Sequence, residues 1–210
     1  MPKKENIQQM FDEIAPSYDK LNHIMSLDVD KLWRQHALKE IVDDTPQQIL
    51  DVACGTGDST IVTAKAAAPG SHVIGADISE GMMALVMDKA RKAGVEDRVS
   101  LQVADGENLP FKEASFHRVL KPGGKAVILE LSLPSNRVVR WFYDLYFMHV
   151  LPWVGGLISG DKAAYKYLPA SVHAFPAPGV FLSMMQAAGF QNVYQRPFSF
   201  GLCRMYVGEK

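Results

Sequence analysis

Residues 50–58 read LDVACGTGD, and two glycines in it, Gly55 and Gly57, stand one residue apart just after a run of apolar and β-branched residues. Glycine lets the chain turn tightly and lets a ligand approach the backbone with no side chain in the way. Acids mark the same stretch and its continuation. Asp51 and Asp58 flank the two glycines, Asp77 falls 20 residues after Gly57, and Asp105 directly precedes Gly106. A carboxylate at the end of the strand after a glycine turn can accept two hydrogen bonds from ribose hydroxyls. The pattern points to an adenosine-bearing cofactor.

Two such cofactors compete. A nicotinamide dinucleotide calls for G-x-G-x-x-G, and here Thr60 stands where the third glycine belongs. Asp58, beside the start of the next helix, would also repel a pyrophosphate placed there. S-adenosylmethionine carries no phosphate and bears a cationic sulfonium and an ammonium, which suit the acids Asp51 and Asp58. The residues therefore favour it over a dehydrogenase cofactor. A glycine turn that binds nothing stays open, because G-x-G alone is a weak signature.

These residues need a frame. Strands are expected at 47–53, 72–78, 99–105 and 125–132. Between them lie helical stretches: 60–68, capped by Asp58 or Ser59 and stopped at Pro69 and Gly70, and 80–93, capped by Ser79 and closed by Gly94. Strand and helix alternate, which implies an α/β fold with a doubly wound, mostly parallel, Rossmann-like sheet. Residues 135–170 are aromatic and helix-like, and 178–189 form a short helix closed by Gly189. Residues 191–200 and 201–209 read as an antiparallel hairpin joined at Gly201. The spacing breaks down in one place. Parallel neighbours need a crossover of a dozen or more residues, usually a helix. Between 105 and 125 there is mostly loop, and FKEASF (111–116) runs straight into HRVLKPGG (117–124). Phe116 and His117 are therefore expected not to be bonded neighbours, with roughly 25 residues missing between them, enough for a strand and its crossover helix.

The bounds agree with a single domain: 210 residues, 48% hydrophobic and 21% charged. It reads as an N-terminal helical cap for substrate (1–45), a cofactor-binding core (46–132), and an aromatic substrate region with the hairpin (133–210). A net charge of −1 gives no electrostatic case for nucleic acid. Two cysteines, Cys54 and Cys203, imply no disulfide framework and no metal site. The N-terminus lacks the apolar core of a signal peptide. Residues 141–158 are greasy but contain Asp144, His149, Pro152, Gly155 and Gly156, too interrupted for a span. They read as a buried helix and loop, a channel for a long apolar ligand, or a surface resting on a membrane.

VLDVACGTGD, VIGADIS and LPF (109–111) resemble class I S-adenosylmethionine methyltransferases in general. MFDEIAPSYDKLNHIMSLDVDKLWR (10–34), residues 143–176 and AAGFQNV (187–193) are similar to signatures of a narrower group, the ubiquinone/menaquinone-biosynthesis C-methyltransferases. The resemblance implies methyl transfer to a ring carbon of a prenylated hydroquinone such as demethylmenaquinol. It also implies Thr56 in the glycine loop, Asp77 at the ribose, and Asp105 with Gly106 at the adenine end. It implies a cytoplasmic enzyme, with peripheral membrane contact and a homodimer both left open, as is the choice of benzoquinol or naphthoquinol. The departure is the break after Phe116, where such proteins continue with a strand, a segment containing Gly, Arg and Asn, and a helix. A protein that binds the donor without catalysis is the alternative the break raises.

The sulfonium methyl is already a good electrophile, so the ring carbon is the weak partner. Ionising an adjacent phenol, whose pKa is near 10, makes that carbon far more nucleophilic. A positioned base or cation would help, as would holding methyl, carbon and sulfur in line. Tyr18, Asp19 and His149 are the candidates. Helix packing or capping would equally explain Tyr18 and Asp19, and an aromatic core would explain His149. Met82, Met83 and Met87 sit at helical spacing and read as core; Lys89, Arg91 and Lys92 read as a solvated face.

Overall fold

The computed structural model describes residues 4–111, 120, 122–146, 150 and 164–210. The chain divides into two compact units, Met1–Lys20 with Ile41–Val119, and Leu21–Glu40 with Leu120–Lys210.

The first unit holds most of α1 (Lys4–Ser26), then β1 (Gln48–Val52), α3 (Asp58–Ala66), β2 (His72–Asp77), α4 (Glu80–Met83), α5 (Val86–Ala93) and β3 (Val99–Val103). The three strands pair in parallel in the order β1-β2-β3, with Leu50 opposite Ile74 and Ile74 opposite Ser100. Ile61 and Ala64 of α3, Val73 of β2, and Val86 and Ala90 of α5 form the core with Val95 and Val99. Ile49, Met87 and Leu101 pack on its margin, and Met82 and Met83 are buried as expected of core.

The helix read over 80–93 is two helices. Ser79 caps the first, its hydroxyl accepting from the Met82 amide at 3.1 Å, and Gly94 closes the second at φ 71°. The expected side-chain cap on α3 is not made. Gly57 is its N-cap, and Asp58 is drawn away by a lysine. The expected buried strand β1 is only half-buried, with Val52 46% exposed. Its position explains this, since β1 is an edge strand with β2 on one side and no strand on the other among the described residues.

The second unit holds α2 (Val29–Ile41, ending one residue beyond it), β4 (Lys125–Leu131), α6 (Arg137–Leu145), α7 (Ala164–Ala174), α8 (Pro178–Ala187), β5 (Gln191–Phe198) and β6 (Cys203–Glu209). Its sheet is antiparallel, ordered β4-β6-β5, with Val127 and Tyr194 both opposite Val207. The central strand β6 is buried from Cys203 to Gly208. The hairpin stands where the sequence puts it. Residues 125–131 pair with that hairpin and not, among the described residues, with β1. Among the described residues the parallel and antiparallel strands thus form two three-stranded sheets.

Local chemistry accounts for the helix ends. Pro178 starts α8 at its first turn, where its missing N–H costs nothing. Asn136 caps α6 by accepting from the amides of Val138 (2.9 Å) and Val139 (3.2 Å). Among the described residues, no helix is long and apolar enough to cross a membrane.

Candidate cofactor site

The site grows from the turn after β1. Ala53 (φ 57°), Gly55 (φ 54°) and Gly57 (φ 83°) all take positive φ, so the chain reverses within a few residues before α3 begins. The Gly57 amide donates to the Cys54 carbonyl at 2.9 Å, and the Gly57 carbonyl accepts from Ile61 to start α3. A β-carbon on Gly57 would meet Val86 Cγ1 at 2.5 Å, so glycine here also permits close packing of the loop on α5. A β-carbon on Gly55 would meet nothing within 4 Å, so open space lies beside this part of the backbone.

Asp77, at the end of β2, braces the turn. Its Oδ2 accepts from the Gly55 amide at 2.8 Å and its Oδ1 from the Ser79 amide at 2.9 Å. Each carboxylate oxygen can accept more than one bond, so the acid expected at a ribose holds the loop and still faces a cleft of ≈ 170 Å³. That cleft is lined by Ile7, Val52, Ala53, Asp77, Ile78, Ala104, Asp105 and Gly106. Asp105 accepts from the Glu107 amide at 3.0 Å, and its own carbonyl accepts from Asn108 at 2.8 Å, which turns the chain so that Gly106 borders the cleft. Asp51 faces elsewhere in its bonding: its carboxylate accepts from the Thr60 hydroxyl at 2.6 Å. Cys54 is buried; burial, with Asp51 and Asp77 nearby, pushes its thiol up to about 12, so it is a neutral side chain rather than a nucleophile.

The N-terminal helix contributes more than the sequence suggested. Thr56, only 3% exposed, donates its hydroxyl proton to Asp19 of α1 and accepts from the Lys89 ammonium of α5 at 3.1 Å. Lys89 pairs in turn with Asp19 and with Asp58, the latter at 2.8 Å. Seven residues before Asp19, Asp12 accepts from the Ser79 hydroxyl at 2.6 Å and the Gly81 amide at 2.9 Å. Tyr18 meets Phe11 edge-on, with ring centroids 6.2 Å apart.

The structure thus gathers Thr56, Asp77, Asp105, Gly106, Gly55 and Gly57 around one turn and cleft, with Asp51 bound to Thr60 behind them. It brings Asp19 to Thr56. His149 lies outside the described residues, as do Phe116 and His117. Lys89 is not part of a solvated face, and Asp12 was not singled out; each makes its bonds to elements far away in the chain, which local spacing cannot reveal. His23, Asp28 and Asp30 bring ligand-type atoms within 4.8 Å of one another. Ser26 and Arg34 already hold Asp30, so the cluster reads as a salt-bridge network.

The residues fit S-adenosylmethionine. Backbone glycine leaves room at the turn, an acid stands at the cleft wall, and Asp19 and Asp58 offer negative charge beside the loop. A glycine turn between a parallel strand and a helix, an acid closing the next strand, and a C-terminal antiparallel hairpin define a class I methyltransferase. The chain matches the ubiE/COQ5 methyltransferase family over residues 1–117 and again over 114–210. It is 40% identical over 230 aligned residues to the ubiquinone/menaquinone biosynthesis C-methyltransferase UbiE of Geobacter sulfurreducens, covering 99% of this chain and 90% of the relative. It is 38% identical over 230 residues to a demethylmenaquinone methyltransferase of Bacteroides fragilis, covering 99% and 94%. In fold it resembles Haemonchus contortus phosphoethanolamine N-methyltransferase 2, solved with phosphomonomethylethanolamine and S-adenosylhomocysteine. That likeness has a TM-score of 0.58 and 15% identity, and covers 85% of this chain and 52% of that one. The chain belongs to the ubiE/COQ5 methyltransferase family, and S-adenosylmethionine is its methyl donor.

Proposed function

We propose that this methyltransferase methylates a ring carbon of a prenylated hydroquinone in quinone biosynthesis, with demethylmenaquinol as the favoured acceptor. The observation that carries the reading is the near-complete match to relatives bearing that activity in their names. At the donor end, Thr56, Asp77, Asp105 and Gly106 hold the nucleoside and the loop. Asp19 meets Thr56 of the loop that would present the methyl group, and Tyr18, which precedes it on α1, and His149 are further candidates toward the ring. Their task is to favour the phenolate of the acceptor and to hold carbon, methyl and sulfur in line.

The second unit supplies an apolar surface. On α6, Val138 (65%), Trp141 (61%), Phe142 (60%) and Leu145 (45%) are exposed while Tyr143 is buried. Such a face suits a prenyl chain or the surface of the membrane from which a prenylated quinol is drawn. The enzyme would then work in the cytoplasm and touch membranes reversibly. The test is methyl transfer from labelled donor to a prenylated quinol and to the same ring without its tail, with sedimentation on vesicles. The expected result is strong preference for the prenylated acceptor and vesicle association. Equal turnover of the tail-less ring would overturn the role given to the apolar surface, and no transfer to either would overturn the acceptor class.

A second reading, a protein that binds the donor without transfer, depends on the break after Phe116. The alignments run over 230 residues while this chain has 210, so at least 20 residues of the relatives have no counterpart, and the two family matches meet at 114–117. About 20 residues are enough for a further strand and a short crossover helix. A measured intact mass of 23.2 kDa would instead mark a genuine deletion and favour a protein that binds the donor without transfer.

A further inference from the structure

Arg204, on the central strand β6 of the second unit, is 6% exposed and is held by neutral oxygens alone. Its Nη1 donates to Gln195 Oε1 at 2.7 Å and its Nη2 to Ser135 Oγ at 3.2 Å, while its buried Nε has no partner. Glu130 stands directly opposite on β4, where facing residues share one side of the sheet, yet the guanidinium turns to Gln195 and Ser135 instead. Burial raises the pKa of Glu130, as it does those of Cys203 and Tyr206 on β6, which disfavours the anionic form of each neighbour. A buried charge is costly unless an opposite charge replaces its lost hydration. This one comes near the surface at a single point. Ser135 is exposed and makes the longer of the two bonds, so it is the contact an incoming anion would replace. Just beyond it, Val138, Trp141, Phe142 and Leu145 of α6 follow at i, i+3, i+4 and i+7, all at least 45% exposed. They span about 10 Å of helix. Arg137, exposed at the start of α6, adds a second cation two residues from Ser135.

We propose that this is a binding site for a prenylated phenol in its ionised form. The guanidinium of Arg204 takes the phenolate oxygen in place of the Ser135 hydroxyl, and the exposed stripe of α6 takes the prenyl chain. This rests on the acceptor being a prenylated hydroquinone, and it gives the second unit a task toward that acceptor. The phenol loses its proton to water, and the charge left on oxygen is paired by Arg204. The ring carbon beside it is then the stronger nucleophile. The arrangement matches an amphiphile in order, with the cation at one end and the apolar stripe leading away from it. An arginine that only tied β5 to the loop after β4 would make the same two bonds, but it would be indifferent to the charge of a ligand.

The experiment is equilibrium dialysis of the full chain against two probes, a prenylated phenol and its methyl ether, between about pH 7 and 9. In the unsubstituted protein the phenol should bind more tightly as pH rises toward its ordinary pKa near 10, and the ether should not respond. Arg204→Met should weaken the phenol at the upper pH by about ten- to a hundredfold, the range of one charge-assisted hydrogen bond, and leave the ether unchanged. A substitution at a buried site can also disturb the fold, so an exposed one gives the second test. Ser135→Asp puts a carboxylate where the phenolate would bind, and it should abolish the pH response of the phenol while leaving the ether unchanged. Trp141→Ala should weaken both probes alike, by about tenfold. Equal binding of phenol and ether at every pH in the unsubstituted protein would overturn the proposal, as would a phenol preference that survives Ser135→Asp. The acceptor reading fails separately. If the phenol showed its pH response but no methyl reached a prenylated or a tail-less quinol, the acceptor class would fall and the phenolate site would stand.

Discussion

Gly57 is where backbone conformation and packing both demand glycine, and the two demands can be separated by measurement. At φ 83°, an alanine would sit in the left-handed region, at a cost of about 1–2 kcal/mol. Its β-carbon would also lie 2.5 Å from Val86 Cγ1 and 2.9 Å from Cγ2. Val86 is fully buried in the core of the first unit, so it has little room to yield. Overlap in a packed core costs about 1–3 kcal/mol. Gly57→Ala should therefore destabilise the protein by about 2–5 kcal/mol, a large share of the roughly 5–15 kcal/mol by which a domain is stable. Val86→Ala alone removes two buried methyl groups and should cost about 2 kcal/mol. In the double variant the methyl groups that collide are gone, so the backbone strain, the lost burial and a milder contact with the residue 86 β-carbon at 3.1 Å remain. Urea unfolding followed by far-UV circular dichroism on the four proteins of this cycle should give a favourable coupling of about 1–3 kcal/mol. Additivity within about 0.5 kcal/mol, the behaviour of independent sites, would show that α5 does not press on the loop as described.

Two further outcomes are expected. Asp77→Ala removes the acceptor of the Gly55 and Ser79 amides as well as the carboxylate at the cleft. Affinity for S-adenosylhomocysteine should fall at least tenfold, since one charge-assisted bond contributes about 1.5–3 kcal/mol, and unchanged affinity by calorimetry would refute the assignment. In the second unit, burial on its own raises the Asp30 pKa, but the hydrogen bond from Ser26 and the charges of Arg34 and His23 outweigh it and hold the carboxyl below its ordinary value. A depressed carboxyl stabilises the fold above the unfolded-state pKa of about 4, and that stability is lost as pH falls through the lower folded value. The stability gap between the unsubstituted protein and Asp30→Asn should thus be full at neutral pH and shrink below about pH 4. A gap independent of pH would show that the charge is not what stabilises Asp30.

Much of this was legible before any coordinates. The glycine turn, Asp77, the Ser79 cap and Gly94 are local features, each fixed by the conformations its residue type permits, and they stand where the sequence puts them. The hairpin at 191–209 is legible for the same reason. What could not be read is the pairing of distant segments. Lys89 belongs to a helix whose charged residues look solvated in one dimension, and Asp58 looks like a helix cap until the lysine that takes it is in view. The half-exposure of β1 follows from which strands lie beside it, which its own apolar composition cannot tell.

The N-terminal helix shows why its signature is so distinct. Asp12 and Asp19 are seven residues apart, close to two turns, so they project from one face of α1. Asp12 binds Ser79 and Gly81, just past the strand that ends in Asp77, and Asp19 binds Thr56 and Lys89 at the glycine loop. Ile7, nearer the start of the helix, lines the cleft itself. Gly81 fits this arrangement closely, since a β-carbon on it would meet Asp12 Oδ1 at 2.9 Å and Asp12 Cα at 3.0 Å. One helical face is therefore tied to the segments that follow both β1 and β2. Asp19, which looks in sequence like a candidate for work on the acceptor, is in the fold first of all a fastening of α1 to the glycine loop.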